Sequence, residues 1–205
     1  MTPRPTSHVR LPEMGDDEMR SSHRLADVAE GLAALDLDVQ QRGVRAEMLM
    51  FAADHPDALL RTCTAGHFTG SALVVDAAAE LTLLLFHRKL QRWLQPGGHA
   101  DGDANLAAVA LREATEETGV AGLRVDPHAV DLDIHEIGAG QDPAHLHLDV
   151  RFLVMAPPGA RPRGNHESEA LRWVSPVDLG GLDLDPGTHR LISAGLARAR
   201  EHVDR

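Results

Sequence analysis

"GGHADGDANLAAVALREATEETGV", residues 97–120, holds a glycine pair, an acidic loop and one helix in a single run. At 100° per residue, Leu106, Val109, Ala110, Glu113 and Glu117 fall within an arc of about 100°, with Glu116 at its edge. The inward face of this helix therefore turns from apolar to anionic over its last two turns. Like charges at i,i+4 cost about 0.2–0.5 kcal/mol even on a surface, and desolvation raises that cost. A divalent cation removes the conflict: Mg²⁺ takes one or two carboxylates while phosphate oxygens and water complete its shell. Arg112 stands i,i+4 from Glu116 and is placed to orient it. The alternative is a solvated charged face. Against it, the glutamates extend the apolar stripe instead of opposing it, and a glycine pair after Pro96 leads into the helix. An EF-hand is excluded, because its turn glycine would be Leu106 and its bidentate glutamate Arg112.

Working outward, Asp103 is the expected N-cap, the helix runs to about Thr118, and Gly119 follows at the C′ position. Upstream, "GSALVVD" and "LTLLLFH" are β-type runs separated by "AAAE", and "RWLQ" is a short strand stopped by Pro96-Gly97-Gly98. Downstream, "AVDLDIHEI" alternates. "HLHLDVRFLV" sets Leu146, Leu148, Val150 and Phe152 on one face and His145, His147, Asp149 and Arg151 on the other. "LRWV" is a late strand, and "GTHRLISAGLARAREHV" a terminal helix with Leu191, Ile192, Leu196 and Ala199 as its stripe. These elements predict an α+β fold, a mixed β-sheet in an α/β/α sandwich. Residues 1–20 lack periodicity and are expected to be disordered. Residues 21–62 read as an N-terminal helical extension, and 63–205 as the main domain.

The chain's 205 residues suit one well-buried domain with extensions. Its formal net charge of −11 argues against wrapping a nucleic-acid polymer. No apolar run approaches the length of about 20 residues needed to span a membrane. The opening residues show no apolar signal core, and Cys63 is the only cysteine, which excludes an intrachain disulfide. The expected compartment is the cytoplasm.

The stretch from Gly98 to Val120 resembles the signature of the Nudix hydrolases. Gly98, Arg112, Glu113, Ala114, Glu116, Glu117, Gly119 and Val120 fall in register with it. One position departs: the family's first glutamate is Ala104 here, with Asp101 and Asp103 nearby as substitutes. The resemblance implies the Nudix fold from about residue 63 onward. It also implies hydrolysis of a nucleoside diphosphate linked to another moiety, or of a related phosphoanhydride. It implies Mg²⁺ or Mn²⁺ as cofactor and a small-molecule diphosphate substrate, and it leaves a homodimer open. Glu116 and Glu117 are the first choices for metal ligands, with Glu113 as a further ligand or base, and Gly98 completes the metal set. A non-catalytic ligand-binding or regulatory module on the same fold is the alternative, and Ala104 is the feature in its favour.

Gly97 and Gly98 let the backbone approach a ligand. His99 follows them, and Arg88, Lys89 and Arg92 supply cations for phosphate oxygens. Glu167, in the loop before the late strand, is a candidate base. His145, His147 and Asp149 on one strand face suit a metal site. Trp93 and Trp173 sit in apolar contexts and are expected in the core.

Overall fold

Ten consecutive buried residues make Gly66–Val75 (β1) the centre of the protein. The computed structural model describes residues 10–138, 140, 143–165 and 168–204. Before β1 come two helices, Leu25–Ala33 (α1) and Val39–Asp54 (α2). After it come Thr82–His87 (β2), Arg92–Leu94 (β3), Gly97–His99 (β4) and the acidic helix Leu106–Thr118 (α3). Arg124–Ile137 (β5), His145–Met155 (β6), Ser168–Val174 (β7) and Pro186–Val203 (α4) complete the order.

The seven strands form one mixed sheet of order β3-β2-β1-β6-β5, with β4 also on β1 and β7 on β2. β1 and β6 run parallel in unbroken register from Gly66↔Leu146 to Val75↔Met155; the other pairs are antiparallel. Because strand side chains alternate, β1 serves two cores. Phe68, Ala72 and Val74 join Leu106, Val109 and Ala110 of α3, and the same core takes in Val28 and Leu32 of α1 and Met48 of α2. Leu73 and Val75 face the other way, onto Leu191, Ile192, Leu196 and Ala199 of α4. The stripe expected on the terminal helix is the one it buries, and the sheet lies between helices on both faces. α3 approaches closely because Gly70 has no side chain: a Cβ there would come within 2.6 Å of the Leu106 carbonyl oxygen. Among the described residues, no helix is long and apolar enough to cross a membrane.

Four expectations are corrected. Pro96-Gly97-Gly98 does not leave the sheet; residues 97–99 re-enter it as β4 against Thr69–Ser71. Only a glycine fits at 97, where a Cβ would overlap the Ser71 side chain. The N-cap of α3 is Asn105, whose side-chain oxygen accepts from Ala108 N at 3.2 Å. Asp103 instead accepts from Ser22 N (3.0 Å) and Asn105 N (2.9 Å), tying the N-terminal segment to the head of α3. Residues 10–20, read as part of a disordered start, are ordered: Glu13 bridges Arg124, Pro12 accepts from Val125 N, and Met19 is buried. Finally β1 starts at Gly66, four residues earlier than the apolar run, which brings His67 into the sheet.

Candidate functional site

One face of the sheet changes character along its length. Leu73, Val75 and Leu153 are covered by α4. Alternation carries His67, Thr69 and Ser71 of β1 onto that same face, with His147, Asp149 and Arg151 of β6 beside them in register. His135 and Asp133 of β5 pair with His147 and Asp149, and His99 of β4 pairs with Thr69. Beyond the end of α4 this polar half opens into a cavity of about 800 Å³.

The acidic end of α3 forms another wall of that cavity. Glu113 and Glu117 line it together with Gly97, Gly98 and His99. Glu117 is 6% exposed and accepts a hydrogen bond from Gly97 N at 3.0 Å. Gly98 sits directly on Glu113, since a Cβ there would lie 2.5 Å from its carboxyl carbon. Helix, carboxylates and glycine strand are thus one packed unit.

The other expected site residues divide. Arg92 lines the cavity, whereas Arg88 and Lys89 are exposed outside its wall. Glu116 is also exposed and stands outside the lining. Arg112 does not reach to Glu116; its guanidinium donates to Glu113 Oε1 at 3.1 Å. Adjacent helix positions diverge by 100°, but this long side chain folds back onto its neighbour. Asp101 and Asp103, the carboxylates nearest Ala104 in sequence, both point to other partners. Asp101 is held in two bonds of 2.7 Å by Arg61, Asp103 is spent on backbone amides, and neither lines the cavity. Glu167 lies outside the described residues. Trp93 and Trp173 are partly buried against the two cores.

The floor of the cavity is a charge network that the alternation of β6 only hinted at. Asp149 accepts from Thr69 and Ser71 hydroxyls, both at 2.8 Å, and from Arg151 Nε at 2.7 Å. Arg151 also meets Asp131 and Asp133 at 3.1 Å each. Arg190 of α4 closes the set on the same two aspartates, at 2.6 and 2.9 Å. Burial raises the Asp133 carboxyl, but His135, Arg151 and Arg190 outweigh it and hold the group well below the usual carboxylate range.

Asp149 is therefore not free to complete the His-x-His-x-Asp site expected on β6. His145 is likewise engaged, its Nδ1 lying 2.8 Å from the Pro143 carbonyl. His147 instead meets two histidines from other strands. Ring centroids of His67 and His147 lie 5.0 Å apart, those of His67 and His99 4.9 Å, and those of His99 and His147 4.9 Å. One ligand-capable nitrogen of each ring lies within 4.8 Å of the others. Burial drives the His147 pKa down to about 2 and the His99 pKa to about 4, with Arg61 reinforcing the shift at His99. Burial also lowers the His67 pKa and outweighs an opposing pull from the Cys63 backbone, which does not meet hydrogen-bond geometry. All three are neutral imidazoles at neutral pH. Both ring nitrogens of His67 and Nε2 of His147 are buried without a partner, and each such group costs about 1–3 kcal/mol. His67 escaped the sequence reading because its strand was placed to begin after it.

A seven-stranded mixed sheet between helices, with a glycine strand packed on an acidic helix end, defines a family. Residues 67–194 match the NUDIX domain model, and the chain belongs to that family. It is 30% identical over 115 residues to a Mycobacterium tuberculosis protein named "Putative 8-oxo-dGTP diphosphatase 3", covering 51% of this chain. The match takes in 49% of that relative, so the chain spans about half the length of the curated relatives it matches. Among solved structures it resembles a C. elegans Ap4A hydrolase, with TM-score 0.54 and 16% identity over 65% of this chain and 98% of the other. It also resembles the NUDIX domain of Shewanella oneidensis NrtR, crystallised with ADP ribose. There the TM-score is 0.51 and the identity 18%, over 73% of this chain and 97% of the other. At these identities the structures speak for the fold.

Proposed function

We propose that this protein hydrolyses the pyrophosphate bond of a small molecule in which a nucleoside diphosphate is linked to another moiety. Water attacks phosphorus, and a nucleotide leaves. The observation that carries this reading is the meeting of Glu113 and Glu117 with Gly97 and Gly98 of β4 in the wall of one large cavity. Two carboxylates converging on a space with Glu116 on the same helical turn fit an oxygen-preferring ion such as Mg²⁺ or Mn²⁺. Bound there, such an ion supplies charge neutralisation, polarisation of a phosphorus–oxygen bond and a lowered pKa for attacking water. The chain's own residues do the positioning. Gly97 N–H fixes the Glu117 carboxylate, Arg112 steadies Glu113, and Arg92 offers a cation to phosphate oxygens. The ligands named for the relatives, 8-oxo-dGTP, Ap4A and ADP ribose, share the phosphoanhydride this arrangement suits.

The test is a panel of nucleoside diphosphate derivatives and modified nucleoside triphosphates, assayed with Mg²⁺ and Mn²⁺ and read by product mass. Metal-dependent release of a nucleotide is the expected result; no cleavage anywhere on the panel overturns the reading. Ala104 gives the second reading its support, because it is buried against the α1 side with no carboxylate in its place. A ligand-binding module without catalysis would show calorimetric binding of ADP ribose and no bond cleavage.

Gly98→Ala should leave the fold intact and displace the Glu113 carboxylate, the flexible partner in the clash. Misplacement by about 1 Å costs on the order of 10²-fold in rate. That loss is expected in kcat, with thermal unfolding little changed. Wild-type kcat would show that the close approach of Gly98 to Glu113 is incidental.

A further inference from the structure

The histidine trio belongs neither to the glutamate helix nor to the charge network. His67 comes from β1, His99 from β4 and His147 from β6, so the sheet itself brings them together. The inward ring is sealed: His67 is 3% exposed and neither of its nitrogens has a partner. The other two rings line the 800 Å³ cavity. Imidazoles packed only for bulk would be cheaper as apolar residues, since each orphaned nitrogen has given up its water.

We infer that His67, His99 and His147 form a transition-metal site for Zn²⁺, distinct from the carboxylate site, with its fourth position open to the cavity. Three nitrogen donors from rigid strands and one open position are the donor set of non-structural zinc sites. The open side must face the cavity, because His67 closes the protein side and the two lining rings flank it. Water, or a phosphate oxygen of the cavity's ligand, takes that position. Zinc–nitrogen bonds of about 2.0–2.1 Å set tetrahedral ligand atoms about 3.3–3.4 Å apart. The trio, now within 4.8 Å, closes on the ion by small ring rotations, for which the half-buried His99 and His147 have room. The carboxylate site and the imidazole site thereby sort metals by softness, Mg²⁺ to oxygen and Zn²⁺ to nitrogen. His145 stacks on His67 and His135 meets His147 edge-on, but their Nδ1 atoms are held by Pro143 and Asp133.

The test titrates the metal-stripped full chain with Zn²⁺ by calorimetry and with Co²⁺ by visible absorption. Expected are one tight equivalent of zinc and an intense tetrahedral cobalt band, displaced by zinc and not by Mg²⁺. His99→Ala and His147→Ala should each weaken zinc binding by more than about 100-fold, beyond what loss of an outer-shell partner costs. Glu113→Gln combined with Glu117→Gln should leave it unchanged, so this site and the hydrolytic reading fail separately. Absence of zinc uptake by the unaltered chain, a weak octahedral cobalt spectrum, or zinc binding that follows the glutamates and not the histidines would each overturn the inference. The cobalt spectrum needs no substitution, so the test holds even where a histidine variant does not fold.

Discussion

Glu117→Gln should lower kcat on a cleavable diphosphate by about 10²–10³-fold, the range found when one preorganised electrostatic group is removed from an active site. The substitution is nearly isosteric, and the glutamine oxygen still accepts from Gly97 N, so the 3.0 Å bond that seats the side chain survives. What disappears is a negative charge 6% exposed at the cavity wall, in a setting where solvent screens little and a cation's attraction to it is strong. KM should change far less than kcat, because the lost charge acts on the ion and the attacking water more than on the nucleoside. Glu113→Gln should follow closely, as its carboxylate shares the wall and is braced by Arg112. Glu116→Gln should cost least of the three, because that side chain stands exposed outside the lining. Steady-state kinetics across Mg²⁺ concentration, with circular dichroism to verify the fold, gives the ranking. Full activity in Glu117→Gln would remove the basis of the proposed hydrolysis.

The ranking shows what a linear sequence can and cannot carry. The 3.6-residue period placed Glu113 and Glu117 on the buried face of α3 beneath Leu106, Val109 and Ala110, because helical geometry is local. It also set Glu116 at the edge of the arc, and solvent is where that position points. The strict alternation of β6 likewise separated Leu148, Val150 and Phe152 from His147, Asp149 and Arg151 without any knowledge of neighbours. The pairing partners were a different matter. Which strand lies beside β6 depends on packing over some eighty residues of separation, so the Thr69, Ser71 and Arg190 contacts to the aspartates left no local trace. The same holds for His67 and His99, which reach His147 only through the parallel β1–β6 pair and the short β4. The glycine pair misled for a related reason. Glycine ordinarily ends a strand, yet here the missing side chains are what allow β4 to lie against Ser71 and Glu113. Asp103 and Asn105 are both good caps by type; only the docking of Ser22 onto Asp103 decides between them.

Arg151→Met is expected to destabilise the protein by about 3–5 kcal/mol, the cost of breaking a buried ion pair by removing one partner. That is a large share of the 5–15 kcal/mol by which domains are usually stable. The guanidinium is 4% exposed and contacts three carboxylates, Asp131, Asp133 and Asp149, at 2.7–3.1 Å. Arg190 still covers the first two in the variant, but Asp149 keeps only the Thr69 and Ser71 hydroxyls. Methionine fills much of the volume, so the loss reports charge more than packing. Adding Asp149→Asn to Arg151→Met should restore part of the stability, since a neutral amide no longer needs the guanidinium. The pH dependence has a definite sign. Asp133 has its pKa depressed in the folded state, so its contribution is present above the unfolded value of about 3.9 and fades as pH falls through the lower folded one. Removing Arg151 shrinks that depression. The two unfolded chains titrate alike. The gap between wild type and variant should therefore hold level from neutral pH until the variant's folded carboxylates begin to protonate, and narrow as pH falls on towards the lower folded pKa of the wild type. Denaturant unfolding at neutral pH and at steps through the acid range measures it. A gap that stays constant, or a loss under about 1 kcal/mol at neutral pH, would mean that water already screens these charges and that the network does not anchor the cavity floor.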